Sequence, residues 1–116
     1  MLEFSRLQWA NEQRCFEFRN RQGILCHRDG VGTWTLVQWT NAMAGEVGEA
    51  CNIAKKIDRG DFDGLPNEAK QLLAEELADV VCYADLAATR MGIDLGEAVR
   101  RKFNAVSDRI NSDIKL

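Results

Sequence analysis

The sequence predicts an all-α fold, a four-helix bundle, and three observations predict it. Apolar and small residues recur at helical spacing along two long stretches: Leu36, Thr40, Met43, Val47, Ala50, Ala54 and Ile57 in one, and Leu73, Leu77, Val80, Ala84, Ala87 and Met91 in the other. Start and stop signals bracket these stretches and two flanking ones, with Thr33 or Thr35, Pro66 and Asp94 opening helices and Gly23 and Gly92 closing them. The third observation is size. At 116 residues, 46% hydrophobic and 28% charged, the chain is an ordinary globular composition of single-domain length, so residues 1–116 are read as one domain.

The first helix is expected over about Ser5 to Gln22, with Ser5 as its N-cap and Leu7, Trp9, Ala10, Phe16 and Phe18 interleaved with Glu12, Arg14, Glu17 and Arg19. Gly23 ends it, and the stretch through Asp29-Gly30-Val31-Gly32 is a turn-rich connection. The second helix runs from Thr33 or Thr35 to Arg59, where Lys55, Lys56 and Arg59 complement the negative end of the helix dipole. Gly60 to Pro66 form the loop to a third helix, Pro66 to Met91. That helix is apolar nearly all round, since Ala74, Ala78, Val81, Cys82, Leu86 and Ala88 flank its main stripe. One chain of four helices supplies too little cover for it. A homodimer through the long central helices follows, alone or doubled into a tetramer, with Cys82 and Leu86 in the interface. Gly92 then breaks the chain, Asp94 caps the fourth helix, Glu97 completes a capping-box pattern, and the helix continues to about Ile110.

Four carboxylates stand on the central helices. Glu46 and Glu49 hold the same phase relative to Val47 that Glu76 and Asp79 hold relative to Leu77, so both helices present an equivalent acidic edge. Acidic pairs three residues apart are also ordinary solvated helix surface. Two pairs in matching phase, each embedded in apolar sequence, favour a metal site instead. Packed stripe to stripe, four carboxylates would take up protons unless a multivalent cation supplied the opposite charge. Oxygen ligands without a nearby His or Cys suit Mg²⁺, with Mn²⁺ as a substitute, better than zinc.

The order and spacing go further than four letters. E-x-x-E, 26 residues, then E-x-x-D lie within Glu46-Val47-Gly48-Glu49-Ala50 and Glu75-Glu76-Leu77-Ala78-Asp79-Val80-Val81-Cys82-Tyr83, followed by Met91-Gly92-Ile93-Asp94-Leu95-Gly96-Glu97-Ala98-Val99 with Lys102. Over about residues 33 to 110 the chain resembles the MazG-like nucleoside triphosphate pyrophosphohydrolases, an all-α superfamily. The resemblance implies Mg²⁺-dependent cleavage of a nucleoside triphosphate to the monophosphate and pyrophosphate, as in nucleotide-pool housekeeping. It implies Glu46, Glu49, Glu76 and Asp79 as metal ligands, with Glu46 or Glu49 orienting the attacking water. Tyr83 matches a tyrosine that related dCTP pyrophosphatases set against substrate, and Lys102, Asn104 and Arg109 fall where the family holds phosphates. Lys56, two turns beyond Glu49, is a further candidate for a phosphate or the base. Base and sugar recognition is expected in the approach from Cys26 to Trp39, with Trp34 as a stacking platform and Trp39 in the core.

Other classes are disfavoured. The net charge of −3 gives no footprint for a nucleic acid polymer. No apolar run is long enough for a bilayer, and Met1-Leu2-Glu3-Phe4-Ser5-Arg6 does not read as a secretory signal, so a cytoplasmic protein is expected. Cys15, Cys26, Cys51 and Cys82 have no C-x-x-C spacing and read as reduced thiols, and Cys26-His27 lacks a second ligand pair for zinc. A di-iron protein would need Glu-x-x-His pairs, which neither acidic helix carries. The rival that keeps the scaffold is a non-catalytic nucleotide-binding or helical interaction module, against which stand the four intact acidic positions.

Overall fold

A computed structural model describes residues 1–62 and 66–116 of the chain. Among these residues are four helices, α1 (Phe4–Cys15), α2 (Leu36–Arg59), α3 (Pro66–Arg90) and α4 (Leu95–Arg109), and one 3₁₀ turn, Gly30–Thr33. The fold is the expected all-α one. Of the expected loop from Gly60 to Pro66, residues 63–65 lie outside the described residues.

Local chemistry sets the ends of the helices. Thr35, not Thr33, caps α2: its Oγ1 accepts from the Gln38 amide at 3.2 Å, and Gln38 Oε1 accepts from the Thr35 amide at 2.9 Å. Gly60 closes α2 in the left-handed conformation, φ +72°. At α4, Asp94 accepts from the Glu97 amide at 3.0 Å, but the Glu97 carboxylate turns outward to Arg100, so the expected reciprocal box is half formed.

The first helix is shorter than its sequence suggests. It begins at Phe4 without a side-chain cap, so Ser5 is not its N-cap, and it stops at Cys15. The next residues fold instead as a small hairpin in which Cys26 N donates to Phe18 O at 2.8 Å and Asn20 N to Ile24 O at 2.9 Å. Asn20 Oδ1 accepts from the amides of Gln22 and Ile24, and Gly23 supplies the left-handed residue (φ +78°). This local turn competes successfully with helix continuation. Phe16 then lies against Gly30, where an added Cβ would sit 2.7 Å from its ring.

Trp39 faces Tyr83, and Glu46 faces Glu76 and Asp79, so α2 and α3 pack antiparallel. Along their shared seam, positions 39, 43, 46, 50 and 53 of α2 and 69, 73, 76, 80 and 83 of α3 are buried or half-buried. Both sets step by four and three, the spacing of a left-handed helix seam. The seam therefore runs through Glu46 and Glu76, one residue before the apolar Val47 and Leu77 that the sequence pattern placed inward. Val47 is 42% exposed and Leu77 51%.

α1 packs on another face of α3, and the hydrophobic core sits at that junction: Cys15, Val31, Trp39 and Leu86, with Trp34, Tyr83 and Ala87 against them. This corrects the expected interface. Leu86 is buried within its own chain, and Cys82 is half-buried beneath α1, because α1 and the 3₁₀ turn already cover that face. What stays open is the opposite surface of the hairpin, with Val37, Val47, Leu77 and Val81 exposed. The radius of gyration, 17.1 Å, exceeds the roughly 13 Å of a compact chain of this length.

Candidate active site

Glu46, Glu76 and Asp79 place one carboxylate oxygen each within 4.8 Å of one another. The i, i+3 step brings Glu76 and Asp79 to one edge of α3, and the antiparallel seam sets Glu46 opposite. Glu49, exposed one turn along α2, is outside this trio, yet its charge reaches Glu76. The Glu76 carboxyl is held above the usual carboxylate range, first by its hydrogen-bonding contact with Glu46, then by burial and by the charges of Glu46, Glu49 and Asp79. No ion pair among the described residues relieves this crowd. Clustered hard oxygen donors with no internal cation fit a hard divalent ion such as Mg²⁺.

A cavity of about 230 Å³ opens beside the trio, with Glu46 and Asp79 in its lining. Trp39, Tyr83, Phe18 and Leu86 give it apolar walls, and α1 contributes Asn11, Arg14 and Cys15. Trp39 is 1% exposed and its Nε1 donates to the Val31 carbonyl at 2.8 Å, which fixes the ring as a rigid wall. Tyr83 is kept protonated by burial and by the charges of Glu46 and Asp79, so its phenol offers a donor beside the carboxylates. His27, 6% exposed, packs its ring 5.0 Å from Trp39 and 4.6 Å from Trp34. Burial lowers its pKa, so the ring is neutral at pH 7, and its Nδ1 has no partner among the described residues.

Of the residues expected to serve the site, the fold brings Glu46, Glu76, Asp79 and Tyr83 together. Trp34 is half-buried behind Trp39 rather than in the cavity lining, and its carbonyl accepts from Arg90 Nε at 3.0 Å. Lys56, Lys102, Asn104 and Arg109 do not line the cavity either. Lys102 borders a shallow apolar groove along α4, and the Asn104 amide is spent on the Leu116 backbone through bonds of 2.9 and 3.2 Å.

The sequence reading missed Asn11, Arg14, His27 and Asp85. One signal was available: Leu7, Asn11 and Cys15 share the inward face of α1, and an amide in that phase is polar where the pattern asks for an apolar residue. Asn11 donates to Asp85 Oδ2 at 3.0 Å, and Asp85 is 2% exposed. Burial raises the Asp85 pKa more than the Asn11 hydrogen bond lowers it. The folded state therefore binds this proton more tightly than the unfolded chain, so Asp85 favours folding most at acidic pH and less as pH rises through its folded pKa. Asp85→Asn does not titrate. The melting temperature of wild type minus that of the variant should fall as pH rises from about 4; a constant difference would show that burial leaves this carboxyl unshifted.

The family model of the MazG nucleotide pyrophosphohydrolase domain matches residues 35–112, from the cap of α2 to just beyond α4. No curated protein and no solved structure matches the chain.

Proposed function

The chain belongs to the MazG nucleotide pyrophosphohydrolase family, and from that premise we propose that it hydrolyses a nucleoside triphosphate between its α and β phosphates, releasing the monophosphate and pyrophosphate. The observation that carries the reading is the convergence of Glu46, Glu76 and Asp79 within 4.8 Å, beside an aromatic cavity and without a balancing cation. Mg²⁺ held by these three, with Glu49 alongside, would offset the charge of the triphosphate and of the departing pyrophosphate. Glu46 and Glu49 are both candidates to orient or deprotonate water, and the exposure of Glu49 supports that role for it. The Tyr83 phenol donates to a phosphate or sugar oxygen. Arg14, in the cavity lining, supplies positive charge there. Lys56, Lys102 and Arg109 are not in the cavity lining, and their proposed contact is with the phosphates outside it.

A second copy is part of the proposal, as a homodimer or a tetramer of dimers covering the open face of α2 and α3. Residues 1–116 act as one domain, since α1 and the hairpin after it complete the cavity. The free thiols of Cys15, Cys26, Cys51 and Cys82 suit the reducing cytoplasm. Clearing unwanted nucleotides from the pool is the role such a reaction serves.

Common ribo- and deoxyribonucleoside triphosphates incubated with Mg²⁺ and separated by chromatography should give monophosphate and pyrophosphate from at least one. Chelator should abolish the reaction and Mg²⁺ or Mn²⁺ restore it, and Mg²⁺ should raise the melting temperature by binding the folded state. Cleavage in excess chelator, or release of single phosphate in place of pyrophosphate, would refute the assignment.

A further inference from the structure

The cavity wall contributed by α1 carries the more selective chemistry. Asn11 is 3% exposed, and its Nδ2 donates to the Cys82 carbonyl at 2.9 Å and to Asp85 Oδ2 at 3.0 Å. The amide cannot be turned round, because the reversed orientation sets Oδ1 against two acceptors. Both amide hydrogens are thus spent. Oδ1 accepts no hydrogen bond among the described residues, and Asn11 lines the cavity. The cavity therefore contains an acceptor whose polarity is fixed from behind by a buried carboxylate. His27 is also in the lining, but its Nδ1, which has no protein partner among the described residues, is itself buried away from the open space.

Trp39, Tyr83 and Phe18 provide flat apolar walls on which an aromatic ring stacks. At about 230 Å³ the space is smaller than a complete small-molecule site of roughly 300 Å³ or more, so it holds one ring system. Glu46 and Asp79 at its margin leave the phosphates outside it.

We infer that this cavity selects a nucleobase with an exocyclic amino group, cytosine or adenine, over the matching oxo base, with Asn11 Oδ1 accepting from that group and Asp85 acting as the positioning residue. The inference rests on the nucleotide reading above and names its base. An amino hydrogen satisfies Oδ1, whereas the oxygen of uracil or hypoxanthine sets two acceptors together in a dry space. Asn11, Arg14 and His27 all precede residue 35, outside the stretch matched by the family model. Selection is thus a property of the part of this chain that the family pattern does not cover.

The test needs neither catalysis nor metal. Calorimetric titration of the metal-free full chain with deoxycytidine, deoxyuridine, deoxyadenosine and deoxyinosine, which carry no phosphate to meet the unbalanced carboxylates, compares two amino and oxo pairs of matched shape. The amino member should bind at least about tenfold more tightly in one pair or both, ring size deciding which. Asn11→Leu keeps the branched shape but removes Oδ1, and Asp85→Asn is its control, because the Cys82 carbonyl still takes an Asn11 amide hydrogen and the new amide oxygen at position 85 can accept in place of the carboxylate. The control should keep the preference, whereas Asn11→Leu, shown to be folded by circular dichroism, should lose most of it through weaker binding of the amino member. If it does not fold, the wild-type pairs decide. Less than tenfold preference in both pairs, an oxo preference, no binding of any of the four, or a folded Asn11→Leu chain with the wild-type ratio overturns the inference. Amino-base binding without triphosphate cleavage would remove the pyrophosphohydrolase assignment alone, and cleavage without base preference would remove this inference alone.

Discussion

Asp79→Asn should lower turnover by at least about 10²-fold, and Glu76→Gln should do the same, with helix content unchanged by circular dichroism. Each exchange keeps the shape of the side chain and removes one of three carboxylates that meet within 4.8 Å. The same exchange should not destabilise the metal-free protein, and at Glu76 it should stabilise it, because that carboxyl is already pushed toward its neutral form by Glu46, Glu49 and Asp79. Activity and stability then move in opposite directions, the behaviour of a charge cluster kept for function. Glu68→Gln, an exposed acid in the first turn of α3, should change turnover little. Rate assays and thermal melts on the three variants check this. Equal damage at Glu68, or wild-type turnover in both site variants, would reduce the trio to ordinary helix surface.

That trio was legible because its cause is local: i, i+3 spacing sets acids on one helical edge whatever surrounds them. The register of the seam was not. A pattern read from one sequence sends Val47 and Leu77 inward because they are apolar, yet the helices meet through Glu46 and Glu76, flanked by Met43, Ala50, Leu73 and Val80 at four- and three-residue steps. A functional site broke the apolar rule at two seam positions, which shifted the inferred face by one residue. The end of α1 was hidden for another reason. Phe16 and Phe18 continue a plausible helical mix, and only the Asn20 side chain closing on Gln22 and Ile24 shows the turn that displaces it. Asn11 and His27 reach the cavity through contacts distant in sequence, Asn11 with Asp85 and His27 with Trp39, and no local pattern records such pairings.

Leu77→Glu should break the assembly of the protein. Leu77 is 51% exposed in the single chain and shares the open face of the α2–α3 hairpin with Val81, Val47 and Val37, each at least 42% exposed. Its own chain therefore leaves this face only partly covered. A leucine buried at an interface contributes about 1.5–3 kcal/mol, and a two-fold dimer buries it twice. About half of Leu77 is already covered within its own chain, so its loss weakens association by about 1.5–3 kcal/mol, on the order of 10–10²-fold, before the cost of the two introduced charges is added. Sedimentation velocity at micromolar concentration should show wild type as a dimer or larger and Leu77→Glu as a smaller species with unchanged helix content. Ile24→Glu, an exposed apolar position in the hairpin after α1, should leave the assembly intact. Leu86→Glu should unfold the chain instead, because that side chain is 5% exposed in the core with Trp39 and Cys15. A wild-type monomer at micromolar concentration, or an assembly indifferent to charge at Leu77, would mean that the open face of the hairpin is simply solvated and that each chain must complete its site alone.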